Sequence, residues 1–257
     1  MKISPYQRIR RFVSVVFFLL FPVTITMFSP YLSVLGAYSG IITGSVLVFC
    51  VFFLASPFFG RAFCSWICPA GHFQDQLATI RTQKAGKAGR WWFKYLVWAP
   101  WLLALLVGLV LSLLSQPTGL TFNFWWEPSD PLDLVLEPYS PLINLGGHLL
   151  LTYMIFLVFM IPSLILGQRG GCHTLCWMSP FMVLGRKLGN VLRLPAIRLK
   201  AQPERCIHCS LCSRTCPAGI PVQQLVEKAN TEHSECILCG QCVDACPKNV
   251  LSIKIAQ

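Results

Sequence analysis

Four apolar stretches, residues 12–28, 41–59, 91–114 and 148–166, limit what this chain can become. Each has about the 17–25 residues that a helix needs to cross a ~30 Å hydrocarbon core. The only Lys, Arg, Asp or Glu within them is Lys94, near one end of the third, where its long side chain can snorkel to the interface. Four transmembrane helices are the expectation.

The cations give the orientation. Lys2, Arg8, Arg10 and Arg11 precede the first stretch; Arg61, Arg81, Lys84, Lys87, Arg90 and Lys94 cluster around the second connection. The others, from Arg169 onward, follow the fourth stretch. Neither 29–40 nor 115–147 contains Lys or Arg, and the latter carries Glu127, Asp130, Asp133 and Glu137. All 21 basic residues therefore fall on one side, which the positive-inside rule makes cytoplasmic. The expectation is a multi-pass protein of the cell (inner) membrane with both termini in the cytoplasm. The net charge of +11 then reads as a topology signal and a contact for membrane lipid, not as a nucleic-acid footprint.

A composition 54% hydrophobic and 12% charged, half the usual ~25% charge, excludes a disordered chain. The length of 257 residues and the cysteine spacing exclude a secreted disulfide miniprotein. Arg10-Arg11-Phe12 faintly resembles a twin-arginine signal, but Leu35 breaks any small-x-small cleavage pattern near Ala37. A retained first helix is expected.

The second and fourth stretches end alike. Arg61 precedes Cys64-x3-Cys68-Pro69 by three residues, and Arg169 precedes Cys172-x3-Cys176 by three. A duplicated two-helix unit explains this register and would gather four thiols at the inner face. Cys64, Cys68, Cys172 and Cys176 could there hold a third iron–sulfur cluster, bind copper, or cycle as redox dithiols. Arg61 and Arg169 are expected to favour their thiolates. Cys50, alone in the second stretch, reads as a packing residue. His72 and His173 stand beside the two motifs, where they could donate to cluster sulfurs, handle a quinol proton, or merely be solvated. No b-haem is expected, since His148 is the one histidine within a span.

The most specific signal lies near the C-terminus. Cys206-x2-Cys209-x2-Cys212-x3-Cys216-Pro217 is followed by Cys236-x2-Cys239-x2-Cys242-x3-Cys246-Pro247. This is the bacterial iron–sulfur run, twice. Three closely spaced cysteines wrap three corners of a [4Fe–4S] cluster, and the remote Cys-Pro of the other run supplies the fourth. One cluster is thus assigned to Cys206, Cys209, Cys212 and Cys246, the other to Cys236, Cys239, Cys242 and Cys216. Gly219 and Gly240 suit close backbone approach. Disulfides do not fit a reducing cytoplasm, and zinc sites commonly use paired Cys-x2-Cys units rather than this triple.

The expected fold is a membrane all-α four-helix unit over 1–185, built as a duplicated two-helix repeat. A basic interfacial linker over 186–200 follows, then a small α+β two-cluster ferredoxin-like domain over 201–257.

With these motifs the chain resembles the NapH-type membrane ferredoxins, to which MauN and the membrane part of NosR-type proteins are related. One departure is that Cys176 is followed by Trp177, and the proline arrives only at Pro180. The resemblance implies a quinol dehydrogenase subunit, relaying electrons between the quinone pool and a partner redox protein. A copper-handling or oxidase-assembly factor, or a redox-sensing regulatory membrane protein, are the other readings of the same residues.

Overall fold

A computed structural model describes residues 4–80, 92–115, 120–124, 153 and 156–256. The acidic connection with Glu127, Asp130, Asp133 and Glu137, the start of the fourth stretch with His148, and Arg81, Lys84, Lys87 and Arg90 lie outside the described residues.

The first stretch is not one helix. Helix α1 (Pro5–Leu19) starts on Ser4, whose hydroxyl accepts from the Gln7 N–H at 3.3 Å. It gives way to α2 (Phe21–Thr24) and a 3-10 turn (Ile25–Phe28). Pro22 removes a backbone donor there, which is what interrupts helical bonding. Ser29 and Pro30 then cap and start a new helix, α3 (Pro30–Tyr38), where only a connection was expected. Strand β1 (Ile41–Thr43) leads into α4 (Gly44–Phe59), which ends at Gly60 with a φ of 56°. Short α5 (Phe63–Trp66) and α6 (Pro69–Ile80) carry the chain past the first cysteine pair.

Helix α7 (Phe93–Ser115) has 23 residues and is the one helix among the described residues long and apolar enough to cross a membrane. After β2 (Thr121–Asn123), parallel to β1, the described chain resumes in the shorter apolar α8 (Phe156–Leu166). Among the described residues, four complete spans are therefore not seen. Large apolar side chains nonetheless face outward along α4, α7 and α8, among them Leu54, Leu103, Leu114 and Ile165.

Helix α9 (Gly170–Thr174) and α10 (Ser179–Val191) repeat the α5–α6 arrangement around the second cysteine pair. Helix α10 packs on α4 through small residues. A Cβ at Gly185 would lie 1.9 Å from Ser56 Oγ, and one at Gly189 would lie 2.8 Å from Pro57. The spacing of four puts both glycines on one face and lets the backbones approach. Cys50, expected as packing, is exposed on α4.

Strand β3 (Ala196–Ala201) pairs antiparallel with β4 (Leu251–Ala256), in register from Ala196↔Ala256 to Ala201↔Leu251. Between them lie α11 (Leu211–Thr215), α12 (Val222–Glu227) and α13 (Gln241–Asp244). The stretch 186–200, expected as a linker, is thus the end of α10 and most of β3. Arg186 is buried against Glu232 and the carbonyls of Pro57 and Ile197, not turned to lipid. Leu188, Val191 and Leu192 do remain exposed beside it.

Two cores result. One joins Leu199, Ile220, Val226 and Leu251 inside the C-terminal unit. The other joins Phe49, Cys64, Cys68, Cys176 and Met182 with Ile237 and Cys239, so the two units share it.

Candidate metal centres

The repeat places its thiols as follows. Cys64 sits on α5, Cys68 immediately before α6, Cys172 on α9, and Cys176 just after it. All are buried, between 4% and 6% exposed. They converge: the Cys68 thiol is pushed well up by burial first, then by Cys172, Cys64 and Cys176. Burial likewise pushes Cys172 up to about 12 and Cys176 up to about 11, although arginines oppose it. The expectation that Arg61 and Arg169 would favour thiolates is therefore outweighed by desolvation. Coordination of a cation would offset that cost by taking up the thiolate charge.

Donors surround the sulfurs. Gln74 Nε2 donates to Cys172 Sγ at 3.0 Å, and the Gly71 N–H faces Cys68. The Met178 and Ser179 N–H groups face Cys176. A Cβ at Gly71 would lie 2.4 Å from the Cys64 carbonyl, so only glycine lets α6 start this close. Pro69 opens α6 directly after Cys68, whereas Trp177 and Met178 intervene before Ser179 and Pro180 open α10. The late proline thus serves the same helix-starting role, and Trp177 Nε1 uses the extra length to reach the Phe28 carbonyl at 3.1 Å.

The two arginines of the repeat bind carboxylates. Arg169 grips Asp75 at 2.7 and 2.6 Å and donates to the Cys64 carbonyl at 2.7 Å, which ties the second half of the repeat to the first. Arg61 pairs with Glu235 of the C-terminal unit. Its Nε and Nη2 are buried with no partner among the described residues, beside the thiols of Cys64 and Cys176. Orphan donors next to four converging sulfurs fit an anionic iron–sulfur group.

In the C-terminal unit the two runs share one backbone design. His208 and Ser210 in the first, Leu238 and Gly240 in the second, have positive φ at matching positions, which curls each triple into a loop. Cys206, Cys209, Cys212 and Cys246 line one cavity. Cys216, Cys236, Cys239 and Cys242 line another. The chain thus brings together the two sets assigned across the runs. N–H groups of Ala218, Gly219 and Ile220 face Cys216, and the Val250 N–H lies 3.4 Å from Cys246 Sγ. Burial pushes Cys216 up to about 11 and Cys236 up to about 12. Thiol sets gathered on curled loops with N–H donors around them suit [4Fe–4S] clusters.

The sets are neighbours in series. Ile237 and Cys239 share a core with Cys64, Cys68 and Cys176. Cys242 senses Cys239, Cys236 and Cys216, then Cys212 of the other set. Cys209, in that last set, is exposed.

Sequence reasoning missed the residue that joins the units. Glu235 is 2% exposed and accepts from Arg61, from Lys94 and, at 2.9 Å, from His173 Nδ1. Burial would raise its carboxyl, yet Arg61, His173 and Lys94 hold it well below the usual carboxylate range. Burial pushes His173 down to about 4, so its imidazole is neutral. Lys94 does not snorkel; it is fully buried on this carboxylate. One signal was available: the first run is preceded by Arg205 and the second by Glu235, an asymmetry in otherwise matching runs. The loop is further held by Tyr6 Oη on the Leu238 carbonyl at 3.0 Å, Gln7 Nε2 on Cys239 at 2.7 Å and Ser65 Oγ on Ile237 at 2.8 Å.

Comparison with known proteins agrees with this chemistry. Residues 41–88 match a family model described as a 4Fe-4S binding domain, and residues 205–251 match a 4Fe-4S dicluster domain. YccM of Escherichia coli, named as an electron transport protein, is 25% identical over 88% of this chain and 60% of its own length. The ferredoxin-type protein NapH of Escherichia coli is 26% identical over 82% of the chain and 67% of its own. The ferredoxin-type protein MauN of Methylobacillus flagellatus, named for methylamine utilization, is 28% identical over 88% and 74%. The chain thus spans only about 60% of the length of YccM. No solved structure matches it. The likeness to NapH-type ferredoxins holds over most of the chain, and the two family matches support two [4Fe–4S] clusters in this protein.

Proposed function

We propose that this protein sits in the cytoplasmic membrane and carries electrons between the quinone pool and a partner redox protein, as a quinol dehydrogenase subunit. The observation that carries the reading is the series of thiol sets running from the shared core to exposed Cys209. Cys236, Cys239, Cys242 and Cys216 would hold the inner cluster; Cys206, Cys209, Cys212 and Cys246 would hold the outer one. Cys64, Cys68, Cys172 and Cys176 would hold a third, a reading supported by the 4Fe-4S binding-domain match over the first pair. Bound there, iron–sulfur groups supply one-electron centres of tunable potential. The chain's own part is to exclude water, supply N–H donors to sulfur and hold the sets in line. Exposed apolar faces on α4, α7 and α8 and the one-sided cations support the membrane setting, with 1–185 as its unit and the remainder cytoplasmic.

Iron content tests the third site. Anaerobically purified full-length protein is expected to carry about twelve iron and as many labile sulfides, falling to about eight in Cys68→Ser. About eight in both, with Cys64, Cys68, Cys172 and Cys176 oxidising pairwise, would establish the dithiol instead. Orientation has its own check: a reporter fused at Gln257 should work only in its cytoplasmic form, and one inserted near Ser129 only in its exported form. Reversed labelling would overturn the topology.

A further inference from the structure

A polar cavity of about 470 Å³ opens where α1, α6 and the C-terminal unit meet. Its size falls within the range of small-molecule sites. One side is the first two turns of α6, with His72, Asp75 and Gln76. The His72 N–H donates to the Cys68 carbonyl at 3.0 Å, so this wall begins one helical turn from the repeat thiols. The opposite side carries Thr215 and Pro217, the two neighbours of Cys216. The cavity therefore lies between two of the thiol sets.

We propose that this cavity binds the headgroup of a quinol, a reading that rests on the quinol function above. Its inner wall offers hydrogen-bonding groups beside the Arg10–Asp75 ion pair: His72 Nε2 and Gln76 Nε2 lie 3.3 Å apart there. Such a pair suits a ring hydroxyl or carbonyl oxygen. The inner guanidinium, Arg10, is committed to Asp75 at 3.2 Å, and Asp75 is shared with Arg169. That carboxylate in the wall disfavours a phosphate. The outer cations, Arg11 and Arg214, instead place a positive field across the opening, which favours a quinol oxygen as it loses its proton. An apolar exit adjoins the polar wall. The Phe18 ring lies 5.3 Å from the His72 ring and 5.6 Å from Phe156, which in turn contacts Phe21 and Phe73. This aromatic seam runs between α1 and α8, both within apolar stretches, and offers an isoprenoid tail a path to lipid.

The test is direct binding. A fluorescent hydroxyquinoline N-oxide, a mimic of the quinol headgroup, is titrated into full-length protein in detergent and its quenching read. Gln76→Trp fills the cavity from an exposed position, and His72→Leu removes a hydrogen-bonding wall; iron content verifies that each variant is assembled. Each is expected to raise Kd by about tenfold or more, while Leu103→Trp on the outer face of α7 leaves it unchanged. Equal binding by wild type and Gln76→Trp would overturn this location and leave the quinol function standing. No binding by wild type would remove the quinol function itself. A phospholipid retained by wild type, lost in Gln76→Trp and not displaced by the probe, would assign the cavity to lipid and overturn the proposal.

Discussion

Glu235→Ala is expected to lower the stability of the protein by about 3–5 kcal/mol, the cost of removing one partner from a buried ion pair. The carboxylate is shared by Arg61 and Lys94, both essentially inaccessible to water, so its loss leaves two buried cations without a counter-charge. Glu235→Gln keeps the volume and one acceptor, and should fall between Ala and wild type. The measurement is thermal unfolding in detergent, paired with limited proteolysis of the C-terminal unit. Combining Glu235→Gln with Lys94→Met should restore part of the loss, because one stranded cation is then gone. An unchanged melting temperature in Glu235→Ala would mean that the carboxylate does not hold the two units together.

Cys216→Ser should remove the cluster held by Cys236, Cys239 and Cys242 and spare the one held by Cys206, Cys209, Cys212 and Cys246. Iron should drop by about four per chain, and low-temperature electron paramagnetic resonance should lose the signal of the inner cluster only. The effect on electron transfer should be near total, since this set lies between the shared core and the exposed outer set. Loss of the outer signal with retention of the inner one would reverse the ligand assignment across the runs.

The cysteine chemistry was legible in the sequence because a cluster demands fixed ligand spacing within short loops, and short spacing survives in the linear text. The repeat was legible for the same reason: Arg61 and Arg169 keep one register with their cysteine pairs. Hydropathy was a weaker guide. It reports how apolar residues 12–28 are, but not that Pro22 interrupts the run or that Ser29 and Pro30 start a further helix just beyond it. Those breakers were present and could have been weighed against the apolar run. Lys94 was misread because its partner lies 141 residues away, on a loop that hydropathy assigns to another domain. Residues 186–200 looked like a lipid-facing linker because basic charge looks the same whether it faces headgroups or buries on Glu232.

The contacts of Tyr6 and Gln7 with the loop at Leu238 and Cys239 each close over 232 residues of chain. At about 5–20 residues per second, a ribosome makes the first partner many seconds before the second exists. The amino-terminal helix must therefore wait, its Tyr6 and Gln7 side chains not yet engaged by that loop. Those two carbonyls are presented only once the loop has taken its positive-φ curl at Leu238 and Gly240. Closure of the amino-terminal helix onto the C-terminal unit is therefore among the last events of folding.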